Sequence, residues 1–405
     1  MPTREFDDRR SRPAGAGRQR VRTDRFEDDV VLSGLGQSAV GRRLASSPLQ
    51  LTLDAVTAAI ADAGLDPGDV DGIATYPGGG SALGVPFAGP PAADVYDALG
   101  IEPTFLLGNF EGPAQLGGIL TAALAVSAGL ARHVVVYRTV TEGSARAARS
   151  GAPAAGSPAA LTTPFGDGAP PTGYALLAQR HFAEYGTTRE QLAQVALNAR
   201  RHAGLNPKAV FREPLSMDDY LGARMITDPL CLYDCDVHCD GATAFVVSAA
   251  SYAAPRPIRL EAFGVAPPAR SQYAQHVDLA PGRRAAEQMW SRTDLRPDDV
   301  DVAGLYDGFS ILTMLWLEAL GFCAPGESGV FVEGGARIGL GGQLPLNTNG
   351  GQLSAGRLHG LGFLHEVALQ LRGEATGRQV DGARVGVVAV GALPYLGCLL
   401  LRAGS

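Results

Sequence analysis

The apolar positions divide the chain into short continuous runs and helical stripes. Val30-Val31-Leu32-Ser33-Gly34-Leu35-Gly36 is an apolar run ending in glycines, the mark of a buried strand. Beyond it, Leu49, Leu53, Val56, Ile60 and Ala63 recur at steps of four and three, which places them on one helical face, and Gly64 supplies the stop. Residues 70–76 predict a second strand, so the opening reads as strand, helix, strand. The same patterning predicts helices over 119–129, 174–200 and 358–371. It predicts strands over 133–137, 242–248 and 384–390.

A repeat lies beneath this pattern. Residues 65–71 read Leu-Asp-Pro-Gly-Asp-Val-Asp, and residues 295–301 read Leu-Arg-Pro-Asp-Asp-Val-Asp. Both lead into an apolar strand that ends in tyrosine, Tyr76 and Tyr306. In each half a helix then precedes a strand, 119–129 before 133–137 and 358–371 before 384–390. Ordered matches in both halves point to an internal duplication, with halves at about 30–250 and 257–405 joined by 251–257. Residues 143–173 are rich in Gly, Ala, Pro and Ser and read as a long loop or lid. Residues 1–29 carry eight Arg and seven Asp or Glu with little to form a core, which predicts a disordered charged tail.

Composition narrows the function classes. A chain of 405 residues exceeds one ordinary core, in agreement with two halves. The net charge of −7 argues against a nucleic-acid binder, whose phosphate contacts need a basic face. No apolar run approaches the roughly 18 residues of a membrane span, and no apolar stretch in the first residues marks a secretory signal. Five cysteines are too few for a disulfide scaffold, so a reducing, cytoplasmic location is the expectation. Lys208 is the sole lysine, and Asn206-Pro207-Lys208 reads as a turn rather than a Schiff-base pocket. Cys231, Cys235 and Cys239 with His238 lack the paired-knuckle spacing of a zinc ribbon, and no metal is expected. Gly34-x-Gly36 lacks the later glycine and acidic partner of a dinucleotide loop.

Several motifs carry a family resemblance: Gly34-Leu35-Gly36-Gln37-Ser38, Asn206-Pro207-Lys208-Ala209, Asp228-Pro229-Leu230, Asp240-Gly241-Ala242, Tyr306-Asp307-Gly308-Phe309, Leu320-Gly321-Phe322-Cys323 and Pro345 through Gly351. In this order they resemble the thiolase superfamily, in its non-specific lipid-transfer, sterol-carrier-type branch. The resemblance covers nearly all of 30–405. It implies an α/β, duplicated thiolase fold, a five-layer α-β-α-β-α sandwich.

The chemistry departs from the condensing members. A thiolase nucleophile is a cysteine at a helix start, where the dipole and amide donors favour a thiolate. Here that position falls at about Gly112, and no cysteine precedes Cys231. The family's histidine–cysteine motif reads Tyr306-Asp307-Gly308-Phe309, its Gly-His-Pro motif reads Gly356-Arg357-Leu358-His359, and its last cysteine motif reads Gly391-Ala392-Leu393-Pro394. Cys398 lies in an apolar strand, where it reads as a small hydrophobe. Tyrosine in the first motif resembles the retro-aldolase members, which carry a second tyrosine where this chain has Arg357.

The resemblance therefore implies a carbon–carbon lyase acting on a β-hydroxyacyl-CoA or related acyl thioester, with CoA as part of the substrate and no other cofactor. Tyr306, Arg357 and His359 are the candidate catalytic residues. Tyr306 would act as base or proton relay, with Arg357 favouring its phenolate or holding the enolate oxygen. His359 would relay a proton or bind the hydroxyl. Asp307 reads as a turn-ordering residue, and Asn347–Gly351 as either a substrate-facing loop or a tight turn. A homodimer and a small OB-fold/zinc-ribbon acyl-CoA-binding partner are implied by the same resemblance. Two rival readings are a non-catalytic scaffold and cysteine-free acyl transfer.

Overall fold

The computed structural model describes residues 25–78, 85–108, 114–145, 170–266, 280–391 and 396–404. The first half contributes β1 (Val30–Gln37), α1 (Pro48–Asp62), β2 (Gly72–Thr75), α2 (Val85–Ala88), α3 (Ala92–Leu99), β3 (Phe105–Gly108), α4 (Gly117–Ser127) and β4 (His133–Thr141). Then follow α5 (Pro170–Tyr185), α6 (Arg189–Gly204), the small hairpin β5 (Met225–Thr227) and β6 (Leu230–Cys231), and β7 (Asp240–Ala249). The second half contributes β8 (Ile258–Ala266), α7 (Ala280–Trp290), β9 (Val302–Leu305), α8 (Ser310–Ala319), α9 (Gly360–Arg372), β10 (Val385–Val390) and β11 (Leu396–Ala403).

The strands run in the order β3-β2-β4-β7-β1-β8-β11-β10-β9. Read from its two ends, the order repeats: β2, β4, β7 and β1 answer β9, β10, β11 and β8. Among the described residues the half-sheets pair where Val31 and Leu32 meet Arg259 and Ile258. Each half-sheet on either side of that seam carries a helix of its own. Helix α1 packs on β1 and β7, and α7 on β8 and β11. Helix α9 covers β9 and β10 and also reaches β1 and β7 of the other half, so it lies between the half-sheets. One hydrophobic core spans both halves, and a second lies under α1 and α3.

Local chemistry explains the repeat. Each Leu-x-Pro-x-Asp-Val-Asp copy forms a 3₁₀ turn, Pro67–Asp69 and Pro297–Asp299. The last aspartate of each copy then pins the start of the neighbouring parallel strand. Asp71 accepts from the backbone N–H groups of Arg132 and His133, at 2.8 Å each. Asp301 accepts from those of Arg384 and Val385, at 2.7 and 2.8 Å. The glycines of β1 serve close packing. A Cβ at Gly34 or Gly36 would lie 2.1 or 2.0 Å from a carbonyl of α1, and one at Gly264 of β8 would lie 1.9 Å from Ala285 O of α7.

Three expectations are corrected. Order begins before residue 30: Phe26–Asp29 forms a 3₁₀ turn, Phe26 stacks on Phe263, and buried Glu27 accepts two bonds from Arg292. The tail proper, residues 1–24, lies outside the described residues, as do 146–169 of the loop. Residues 170–173 belong to α5 rather than to that loop. The single helix expected over 174–200 is two, because Gly186 turns the chain at φ 74° and Thr188 starts a new helix in a capping box with Gln191.

Removing either pinning carboxylate leaves two strand N–H groups without their partner. Asp71→Ala and Asp301→Ala are each expected to cost about 2 kcal/mol in urea unfolding, with the fold retained.

Candidate active site

The polar residues of interest gather where β2, β4 and β9 end, the position at which open α/β sheets present ligand-binding side chains. Tyr76 follows β2, Arg138 and Glu142 lie at the end of β4, and Tyr306 and Asp307 follow β9. Two irregular segments, 235–239 and 347–359, close over them. Backbone bonds stitch these pieces together. Asp236 N–H donates to Gly308 O (3.2 Å), Val237 N–H to Gln352 O (2.9 Å), and Arg357 N–H to Val237 O (2.8 Å). Gln352 N–H donates to Asp307 Oδ1 at 2.8 Å.

The 347–359 segment takes this path because of its glycines. Gly351–Ala355 is one π-helical turn, flanked by Gly350 at φ 103° and Gly356 at φ 124°. A side chain at Gly351 would strike Asp307, with Cβ 1.9 Å from Oδ2. Asn347 is engaged by β9 at both ends of its amide, accepting from Leu305 N–H and donating to Leu305 O, each at 2.8 Å. It is a turn lock. Asn349 and Gly351, in contrast, line a cleft with Gln352, His359 and Lys208.

Tyr306 is buried, and its ring lies over Gly308 so closely that a Cβ there would be 2.7 Å from it. Burial pushes the phenol up to about 12; Asp236 adds to this, and Arg357 only partly opposes it. The phenolate expected from an arginine neighbour is therefore not favoured: burial and a carboxylate outweigh the guanidinium, and the phenol stays a neutral donor. The carboxamides of Gln115 and Gln352 approach it and lower it slightly. Gln115 Oε1 and both amide atoms of Gln352 have no partner at full hydrogen-bond distance.

Arg357 shares the electrostatic neighbourhood of Tyr306, but its guanidinium is engaged elsewhere. Nη2 donates to Glu142 Oε1 at 2.7 Å, and Nη1 to Asp236 Oδ2 at 3.2 Å. Burial disfavours its charge, yet Asp236 and Glu142 more than offset this and hold it above the ordinary arginine range. Asp236 is raised by burial despite Arg357. It also lines a cavity of about 510 Å³ together with His238, Arg200, Phe211 and Tyr233. Sequence reading missed Asp236 and Glu142. Their signal was only their place beside Cys235 and at the end of a strand.

His359 sits just before α9 with φ 60° and ψ −157°, a region that non-glycine residues occupy at a cost of about 1–3 kcal/mol. It is buried against Phe87, 5.0 Å between ring centroids. Its Nδ1 accepts from Arg138 Nη2 at 2.8 Å and from Nε at 3.3 Å. Burial, then Arg138, Arg357 and His238, push its pKa well down. Arg138 is 2 % exposed and makes no ion pair among the described residues; it donates to Tyr76 O at 2.8 Å and faces the rings of Phe87 and Tyr76.

The thiols are not primed. Burial pushes Cys231 up to about 11 and Cys235 and Cys323 up to about 12, and raises Cys239 and Cys398 further. No thiolate is favoured among them. Cys231, Cys235 and Cys239 do not converge: Cys239 packs with Val140 and Leu358, apart from the core that holds Cys231. Among the described residues no three His, Cys, Asp or Glu side chains are grouped to hold a metal ion. His365 stands apart at the edge of Phe245. Lys208 is lowered by burial and donates to Gln37 O at 3.2 Å. The position of Gly112 lies outside the described residues. No helix among them is long and apolar enough to cross a membrane.

Comparison with known proteins places this arrangement. Residues 267–393 match the thiolase C-terminal domain-like family. The chain is 35% identical to a steroid side-chain-cleaving aldolase of Thermomonospora curvata over 92% of this chain and 97% of that one. It is 34% identical to the 17-hydroxy-3-oxo-4-pregnene-20-carboxyl-CoA lyase of Mycobacterium tuberculosis, over 92% and 98% of the two chains. Among solved structures it superposes on the Ltp2-ChsH2(DUF35) aldolase with a TM-score of 0.83 at 32% identity, covering 93% of this chain and 98% of that one.

Asp307 gives the site a pH signature. Burial raises its carboxyl to about 7, whereas the unfolded chain releases that proton near 3.8. The native state therefore binds the extra proton between these values, and stability from this group falls as pH rises through them. Asp307→Asn is expected to flatten that part of the profile, seen as urea midpoints at pH 5 and 8 that differ less than in the wild type.

Proposed function

Because this chain belongs to the thiolase superfamily, on the lipid-transfer branch that includes its retro-aldolase members, we propose that it is a carbon–carbon lyase that splits a β-hydroxyacyl-CoA by retro-aldol chemistry. The observation that carries the reading is near-full-length similarity to two enzymes named for such cleavage. The raised thiols of all five cysteines agree with it. The name of the mycobacterial relative's substrate places a hydroxyl on the carbon β to the thioester carbonyl, the arrangement a retro-aldol step requires. A steroid side-chain thioester is accordingly the first substrate class to try.

In the proposed reaction Tyr306 takes the β-hydroxyl proton while passing its own to Asp236, whose carboxylate Arg357 holds in place. The Cα–Cβ bond breaks, the carbonyl product forms, and the electron pair moves onto the thioester as an enolate. His359 supports the enolate oxygen. The proton returns through Tyr306 to Cα, so no proton is gained or lost overall. Arg42 and Arg200, both set against Phe211 at the cavity, are the residues proposed to meet the CoA phosphates.

A homodimer is proposed through β3, the edge strand of the sheet, where Leu106 is half exposed. A small acyl-CoA-binding subunit of OB-fold and zinc-ribbon type is proposed as partner, and a reducing cytoplasm as the setting. The solved relative's name carries two components, which favours the partner.

The test is an assay of the protein with such a partner against β-hydroxyacyl-CoA thioesters, reading release of aldehyde or ketone. Tyr306→Phe is expected to lower kcat/KM at least about 100-fold with the fold intact. Full turnover by that variant removes Tyr306 from the mechanism. A panel left uncleaved by the wild-type complex removes the lyase reading itself.

A further inference from the structure

Arg138 is a buried cation to which the proposed reaction assigns no step. It is buried at the end of β4, and its guanidinium makes no ion pair with a carboxylate among the described residues. Two of its three nitrogens, Nε and Nη2, are aimed at the same atom, Nδ1 of His359, at 3.3 and 2.8 Å. The third, Nη1, is anchored on Tyr76 O at 2.8 Å. The rings of Phe87 at 4.6 Å and Tyr76 at 5.4 Å lie against the guanidinium.

An arginine has donors and no acceptor, so the atom it addresses must present a lone pair. In a neutral imidazole only one ring nitrogen is without a proton. With Nδ1 accepting, the proton sits on Nε2. We propose that Arg138 is a positioning residue that pins His359 as its Nε2–H tautomer, so that the imidazole meets the substrate only as a hydrogen-bond donor. The inference rests on the lyase reading for what the donor serves, namely the thioester oxygen as it gains charge.

The surroundings support a single protonation state. Arg138 from β4, Arg357 from the histidine's own segment and His238 from the 235–239 segment all face His359, and each opposes a positive imidazole. Lys208 shares the cleft that His359 lines. Nε2 has no hydrogen-bond partner among the described residues, and so is available to a ligand. The strained backbone at His359 fits the same purpose, since strain of this kind persists where surrounding contacts over-determine a side chain's direction. A further consequence is that His359 does not act as a general acid: its one proton is the one it donates, and Nδ1 is closed to exchange.

The decisive experiment is nitrogen NMR on the full-length protein labelled with ¹⁵N-histidine, the His359 signal being identified by its loss in His359→Gln. The wild type is expected to show protonated Nε2 and bare Nδ1, unchanged over about pH 5 to 8. In Arg138→Met the ring is expected to sample both tautomers and to titrate within that range. The same variant's kcat/KM is expected to acquire an acidic limb and to fall about 100-fold, mainly in kcat. Arg138→Lys, which keeps one donor and the charge, is expected to recover part of both. A proton on Nδ1 in the wild type overturns the proposal, as does an unchanged Nε2–H ring with full turnover in Arg138→Met. The tautomer is read without substrate, so this result stands or falls separately from the lyase reading.

Discussion

The site depends on holding buried ionised groups in balance. Arg357 binds Glu142 and Asp236 together, and Arg138 is balanced by aromatic faces, a carbonyl and a histidine lone pair. A buried charge left alone costs several kcal/mol, so removing one member shifts every other. This balance determines the protonation of the groups between. Tyr306 stays a phenol because burial, together with Asp236, outweighs Arg357, and His359 stays neutral because it is buried and two guanidiniums face it. The pocket thus offers neutral donors and a braced carboxylate, where the condensing members of the superfamily use a thiolate.

The fold makes that balance possible by bringing parts of both halves to one place. Strands β2 and β4 end beside Tyr76, Arg138 and Glu142, and β9 ends at Tyr306. The duplicated turn with its pinning aspartate sets the register of both parallel pairs. The 347–359 segment, bent by Gly350, Gly351 and Gly356, then carries Arg357 and His359 back across the mouth. Asp307 and Asn347 tie that segment to β9, which is why residues with no evident chemistry are buried so close to the reacting groups.

Much of the fold is legible in the sequence because it rests on local patterns. The stripe of α1, the apolar runs of β1, β7 and β10 and the repeated Pro-x-Asp-Val-Asp turn each state their element directly. The break at Gly186 was missed because apolar positions continue on either side of it, and only the Thr188–Gln191 pair marks a new start. Phe26 and Glu27 were assigned to a tail because their partners, Phe263 and Arg292, lie more than two hundred residues away. The site was partly legible. Tyr306, Arg357 and His359 stand in motifs, but the neutral phenol of Tyr306 follows from its burial beside Asp236, and the orientation of His359 from its contact with Arg138. Neither neighbour lies within reach along the chain, so no spacing reveals them.

Cleavage without a sulfur nucleophile leaves its mark on the thiol balance of the reaction. Products of a β-hydroxyacyl-CoA turned over by the partner-bound enzyme would be quantified together with free CoA. One carbonyl compound and one shorter acyl-CoA are expected for each substrate consumed, with free CoA neither required nor used. Two thioesters per turnover, with stoichiometric loss of added CoA, would contradict it.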